Sequence, residues 1–295
     1  MRILAYTPTY KLPNGELALR AETRAAVEAQ VFDGVMDWEV GLENPWPYPT
    51  HKNVLAQYQH ARRLALAGGY DALWTVEHDM IPPPDALQKM SYTPAGVVYG
   101  VYLLRHGSWV LNAWEYIGPQ GLGESLTLYP EKIERAREAG SVRVCGCGWG
   151  CTLIHRPVLE QVEFTDGGGD NPAGDLAFAW ACLRANIPAV ARFDVACDHL
   201  DGELRLRPFG GAVSDMVTVR ALQNVVIFDG GGTVKMEVGK VYQLRRGTLQ
   251  DLIRAGYVEV VEEEGEPEAA TLEPQETAVA PRPKKRVAKG ERGVR

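Results

Sequence analysis

Glu77 and Asp79 stand one residue apart, after the apolar run Ala72-Leu73-Trp74-Thr75-Val76 and before Ile81-Pro82-Pro83-Pro84. The run reads as a buried strand, the prolines as a break, and Asp85-Ala86-Leu87 as a new helix start. Such a strand delivers two carboxylates to its C-terminal edge, where open α/β sheets bind their ligands. Two carboxylates that close together on one strand repel each other unless a cation or hydrogen bonds offset the charge. A hard divalent ion with oxygen ligands and a bound diphosphate would do so. A pair of solvated acids at a strand end is the plainer alternative.

The elements that must hold these acids are readable on both sides. Residues 3–7 read as a first strand, 17–30 as a helix rich in Ala and Glu, and 38–42 as a second strand. A proline-rich loop over 44–49 follows, then a helix from about His51 to Ala67, a Gly68-Gly69-Tyr70-Asp71 turn and the strand over 72–76. Alternation at these spacings predicts a parallel βαβ sheet. Strands over 96–104, 149–154 and 189–195 and helices over 131–139 and 173–186 continue the pattern, with a further helix opening at His155-Arg156-Pro157. The expected class is α/β with a Rossmann-like, mostly parallel sheet over residues 1–221. The texture changes near Gln223, and 222–262 reads as a small ββαβ appendage. Residues 263–295 turn from acidic to basic with few large apolar side chains, the pattern of a disordered charged tail.

The order helix, turn, strand, acid-x-acid, proline, short helix resembles the DxD region of GT-A-fold glycosyltransferases of the family 2 type, with Glu77 in place of the first Asp. The resemblance spans roughly residues 1–205 and is patchy between motifs. It implies the GT-A (nucleotide-diphospho-sugar transferase) fold and a metal-dependent enzyme that moves a sugar from a nucleotide-sugar donor to an acceptor hydroxyl. It implies Mn²⁺ or Mg²⁺ on Asp79, supported by Glu77, with His199 from Cys197-Asp198-His199-Leu200 as a third ligand and Asp198 as its substitute. The donor would meet Thr7-Pro8-Thr9-Tyr10 on its nucleoside side and the Glu77-His78-Asp79 segment on its diphosphate side. Lys52 of His51-Lys52-Asn53 would face its phosphates, and Arg62 is the rival for that role. Asp175, at the start of a helix that resembles the family's Glu-Asp helix, would be the general base, with Asp170 as its backup and an inverting outcome. Here the chain departs from the family, with Gly174 where Glu is usual. Trp149, in the Gly146-to-Cys151 segment, and Arg105 would meet the acceptor.

Each of these residues also has an ordinary structural reading. Thr7 to Thr9 punctuate a βα turn, Asp175 is a good helix N-cap, Arg62 is a solvated helical arginine, and Trp149 belongs to a core. Two other functions stay open: a nucleotidyltransferase on the same fold, and a non-catalytic sugar- or surface-binding scaffold. The first lacks its usual glycine-rich basic loop after strand one, where Thr7-Pro8-Thr9-Tyr10-Lys11 stands instead.

Composition narrows the classes further. The chain has 295 residues and a formal net charge of −7, which disfavours nonspecific nucleic-acid binding, the basic tail being the one segment that could touch an anionic partner. No apolar run reaches the roughly 18–20 residues of a membrane span. The chain opens directly on strand-like residues with no signal-peptide pattern, so a cytoplasmic location is the expectation. Of the five cysteines, Cys145, Cys147 and Cys151 are dense enough to consider zinc, but they lack paired C-x₂-C spacing, and buried reduced thiols are the simpler expectation.

Overall fold

The computed structural model describes residues 1–42, 44, 51–104, 110–117, 123–166, 174–202, 204–208, 216–228, 233–245, 252–253 and 256–261. Arg105, Asp170, the 263–295 tail and most of residues 248–255, which the ββαβ reading takes as its helix, lie outside the described residues.

Strand β1 (Arg2–Pro8) leads through helix α1 (Ala21–Glu28) to β2 (Val35–Gly41), and α2 (His51–Ala67) leads to β3 (Ala72–Val76). The short β4 (Met80–Ile81), α3 (Ala86–Ser91) and β5 (Val97–Val101) follow. Next come β6 (Ala113–Ile117), β7 (Gly123–Ser125), α4 (Pro130–Ala139), β8 (Ser141–Arg143) and β9 (Gly146–Cys147). Then β10 (Cys151–His155), α5 (Arg156–Gln161), α6 (Gly174–Arg184), β11 (Ala189–Ala196), β12 (Asp198–Asp201) and β13 (Leu204–Leu206) complete the main unit.

Seven of these strands form one sheet in the order β2-β1-β3-β10-β5-β11-β8. β1 runs parallel to β2 and β3, and β11 parallel to β5, while β10 is antiparallel to both of its neighbours and β8 to β11. The result is a mixed α/β, Rossmann-like sheet that is mostly parallel. Both faces are buried, as near-continuous apolar strands require. Leu4, Tyr6, Leu73, Val97 and Tyr99 enter one core with Tyr58 and Ala61 of α2, Val158 of α5 and Phe178 of α6. Their alternating neighbours Ile3, Ala5, Trp74 and Val98 enter the other, with Val27 of α1 and Leu87 and Met90 of α3. Two three-stranded sheets, β13-β12-β4 and β7-β6-β9, stand beside the large one.

The first helix starts later than expected, at Ala21. Leu17 is bridged to Lys11, and the Ala18 N–H donates to the Tyr10 carbonyl, so residues 11–18 form a tied loop. The C-terminal appendage also differs from expectation. β14 (Met216–Ala221), upstream of the expected boundary at 222, pairs with β17 (Val241–Arg245) and β18 (Val258–Val260). Between them β15 (Val225–Phe228) and β16 (Thr233–Met236) form the expected hairpin. The appendage has its own core of Val219, Ala221, Met236, Tyr242, Leu244, Leu252 and Val258. Among the described residues, no helix is long and apolar enough to cross a membrane.

Candidate functional site

The strand that carries Glu77 and Asp79 stops at Val76, and the two acids sit in a tight turn instead of on a shared strand face. The Met80 N–H donates to the Glu77 carbonyl at 3.0 Å and closes the turn. Three other segments pin it. The Glu77 N–H donates to Gly150, the His78 carbonyl accepts from Arg20, and the Asp79 carbonyl accepts from Leu200, at 2.9, 3.0 and 2.9 Å. The turn therefore sends its side chains apart. Glu77 reaches α2, where the Tyr58 hydroxyl lies 3.3 Å from its Oε1. Asp79, 4% exposed, reaches β12 instead.

β12 pairs antiparallel with β4, which sets His199 opposite Met80 and next to Asp79. His199 Nε2 lies 3.7 Å from Asp79 Oδ2, and the two side chains are equally buried. His199 Nδ1 is 2.7 Å from the Leu103 carbonyl. A carbonyl oxygen can only accept, so Nδ1 carries a proton and donates to it, which leaves Nε2 as the ring nitrogen that faces Asp79. This is the orientation that an outer partner imposes on a metal-binding imidazole. His78 Nε2 also lies 3.7 Å from Asp79 Oδ2, and the His78 ring meets Tyr10 edge-on at 5.5 Å. Tyr10, His78, Asp79 and His199 thus form a continuous line along the C-terminal edge of the sheet. Lys52 is exposed in the first turn of α2, which begins on that same edge.

Several expected roles change. Among the described residues, no three His, Cys, Asp or Glu side chains are gathered as a metal site, and Glu77 is turned toward α2. Its carboxylate is directed to Tyr58. The zinc reading of Cys145, Cys147 and Cys151 has the same outcome: Cys145 faces the Glu115 carbonyl, Cys151 faces Met90, and Cys147 is buried. Asp198 cannot replace His199, because it is bound by Arg205 and Arg207 of the β13 hairpin. Arg62 holds the Leu159 carbonyl at 2.7 Å and stands near Glu163, which makes it a link to α5 and not a phosphate ligand. Thr7 is buried and its hydroxyl accepts from the Trp38 indole. Pro8 and Thr9 are buried as well, so Tyr10 is the part of that segment able to present its side chain to a nucleoside.

Trp149, 5% exposed, is enclosed by Tyr58, Phe164 and Phe178 and offers no open face to a sugar ring. Its position bears on residue 174. A Cβ on Gly174 would stand 2.8 Å from the Trp149 ring, so a larger side chain there would have to displace that ring. Gly148 and Gly150 are dictated by Tyr102 in the same way, with a Cβ on Gly148 meeting its hydroxyl at 2.4 Å.

Asp175 lies in the first turn of α6 and accepts from the Leu176 N–H at 2.9 Å. Burial pushes its carboxyl above the usual carboxylate range, against the opposing pull of that N–H. Tyr102 and Tyr58 stand nearby: a Cβ on Gly148 would meet both the Tyr102 hydroxyl and Asp175 Oδ2, at 2.4 and 3.6 Å, and the Tyr58 hydroxyl faces Glu77. Both phenols are fully buried and pushed well up, mainly by burial and then by the Glu77 carboxylate, with Asp175 contributing to each. The Tyr102 ring stands edge-on to His199 at 5.4 Å, and its hydroxyl accepts from the Gly150 N–H at 3.1 Å. Tyr102 is fixed by Asn112, which is wholly buried. Asn112 Oδ1 accepts from the Tyr102 N–H, its N–H donates to the Tyr102 carbonyl, and its own carbonyl accepts from Gly148.

Sequence reasoning missed Gln57, Tyr58, Tyr102 and Asn112. A signal existed for one of them. Asn53, Gln57, Ala61 and Ala65 share one helical stripe, and polar residues at core positions of a stripe mark a buried network.

No family model matches the chain, and no curated protein matches it. Among solved structures, A197 from STIV is similar at 19% identity with a TM-score of 0.47, over 70% of this chain and 91% of that one.

Proposed function

We propose that the chain is a GT-A-type glycosyltransferase that moves a sugar from a nucleoside diphosphate to an acceptor hydroxyl. The observation that carries this reading is the approach of Asp79 and His199 to 3.7 Å at the ligand-binding edge of a Rossmann-like sheet. Asp175 and the Tyr102 hydroxyl both flank Gly148, and the Tyr102 ring meets His199. An oxygen donor and an imidazole nitrogen of fixed tautomer, facing each other, suit Mn²⁺ or Mg²⁺ with water and diphosphate oxygens completing the shell. When bound, such an ion supplies positive charge that offsets the charge building on a departing diphosphate. The residues of the chain would do the rest. Tyr10 and His78 present aromatic surface to the nucleoside, and Lys52 offers a mobile positive charge at the same edge. Asp175 accepts the proton of the acceptor hydroxyl, the acceptor oxygen bonds to the anomeric carbon, and the carbon–diphosphate bond breaks with its electron pair on the diphosphate. Direct attack of this kind inverts the anomeric centre.

One observation favours a second reading, a nucleotide- or sugar-binding scaffold without turnover. Glu77 is engaged with Tyr58 and does not complete a three-donor metal site. Thermal shifts with UDP, GDP, CDP, ADP and dTDP, each with and without Mn²⁺, separate the two. The transferase reading expects one nucleotide to stabilise the chain only when metal is present. Stabilisation independent of metal supports the scaffold, and no stabilisation by any nucleotide contradicts the transferase.

A further inference from the structure

We infer that Gln57 is a positioning residue that sets nucleoside affinity by clamping the backbone of Thr9, and so fixing Tyr10. The inference rests on the nucleotide-binding reading above. β1 ends at Pro8 opposite Gly41 of β2, and the Thr9 N–H beyond it donates to the Gly41 carbonyl at 3.1 Å. Past that point no strand pairing holds the Thr9 carbonyl. An amide offers both an acceptor and donors, so a single glutamine on the β2 side can share the Thr9 N–H and hold its carbonyl.

Gln57, projecting from α2 and 3% exposed, does this. Its Oε1 accepts from the Thr9 N–H at 3.0 Å, and its Nε2 donates to the Thr9 carbonyl at 2.8 Å. The second Nε2 hydrogen goes to Asn44 Oδ1 at 2.9 Å, and Asn44 Nδ2 donates back to the Thr9 carbonyl at 3.1 Å. The amide is thus fully used on one residue's backbone and on the side chain that shares it. On the next residue, the Tyr10 carbonyl accepts from Ala18, and the Tyr10 ring stands edge-on to His78 beside Asp79. The clamp therefore governs where Tyr10 stands, whereas Asp79 and His199 are held by β4 and β12 and do not depend on it.

This division gives a selective test. Binding of each of UDP, GDP, CDP, ADP and dTDP, and separately of inorganic pyrophosphate, is measured by calorimetry with Mn²⁺ for wild type and Gln57→Leu. The expected result is that the best nucleoside diphosphate weakens about tenfold while pyrophosphate affinity is unchanged, which also shows that the variant is folded. Asn44→Ala, which removes the bracing amide but leaves Gln57, is expected to give the same selectivity with a smaller loss. Equal weakening of nucleotide and pyrophosphate, or no weakening of either, overturns the role of Gln57 and leaves the transferase reading intact. Failure of wild type to bind any of these probes overturns that reading and the inference with it.

Discussion

Asp79 and Asp175 are the two carboxylates on which the proposed chemistry turns, and the fold treats them differently. Asp79 sits in a turn fixed by backbone hydrogen bonds from three segments, with His78 and His199 each 3.7 Å from its Oδ2. Asp175 accepts from the backbone N–H groups of Leu176 and of its own residue, and its desolvated setting outweighs them and raises its affinity for a proton. The proposed metal ligand is thus flanked by two imidazole nitrogens, and the proposed base is placed where its charged form is costly. The comparison teaches that the two acids, one in a strand-end turn and the other at a helix start, differ in the way the two proposed roles would require.

The largest expected effect breaks the comparison on the Asp175 side. Asp175→Asn should lower turnover by roughly 10²–10⁴-fold with the donor identified by thermal shift, while metal-dependent nucleotide binding is retained. Loss of binding in that variant would show that the two acids do not act separately. In wild type, turnover should fall as pH drops through the raised Asp175 value, at higher pH than for an ordinary carboxylate, because the base must be ionised. The sign for stability is the reverse. A folded-state pKa above the unfolded one favours folding in acid, and that contribution is lost as pH rises through the folded value. Asp175→Asn should therefore raise the melting temperature at neutral pH, with the difference closing in acid. A melting temperature lowered at neutral pH would contradict the desolvation account.

A smaller effect tests how the Asp175 end is packed. Gly174→Glu should destabilise by about 1–3 kcal/mol in denaturant titration, because its Cβ meets the Trp149 ring at 2.8 Å. An unchanged midpoint would mean that Trp149 yields easily. The smallest effect sharpens the link between the two ends. Tyr58→Phe removes a buried hydroxyl that faces Glu77 and should cost about 0.5–1.5 kcal/mol, with nucleotide affinity nearly unchanged. A large loss of affinity would place Glu77 in direct contact with ligand.

The frame of this site was readable from residue order, and its wiring was not. β3 shows as an apolar run cut off by prolines, and the expected span of residues 72–76 matches the strand. The late strand and the start of α6 were similarly visible. β12 was hidden because Asp198-His199-Leu200-Asp201 carries polar residues where an amphipathic strand would not, and it forms only because β4 and β13 flank it. The β7 and β9 strands are only three and two residues long, each opens on a glycine, and pairing with β6 decides such segments. β14 and β17 went unread for a related reason, since nothing local joins residues 216–221 to 241–245. Glu77 and Asp79 were expected on one strand face, because period-two alternation assumes that the strand continues, and the turn at Met80 ends it. Trp149 could not be read as exposed or buried from its neighbours in sequence, because its burial depends on Phe164 and Phe178.

Manganese electron paramagnetic resonance on wild type and Asp79→Ala, titrated with the nucleoside diphosphate that stabilises the chain, tests the central claim most directly. The account predicts that nucleotide converts free Mn²⁺ to a bound form on wild type and that Asp79→Ala weakens this at least about a hundredfold with its fold intact. Equal Mn²⁺ binding by the two proteins would contradict it.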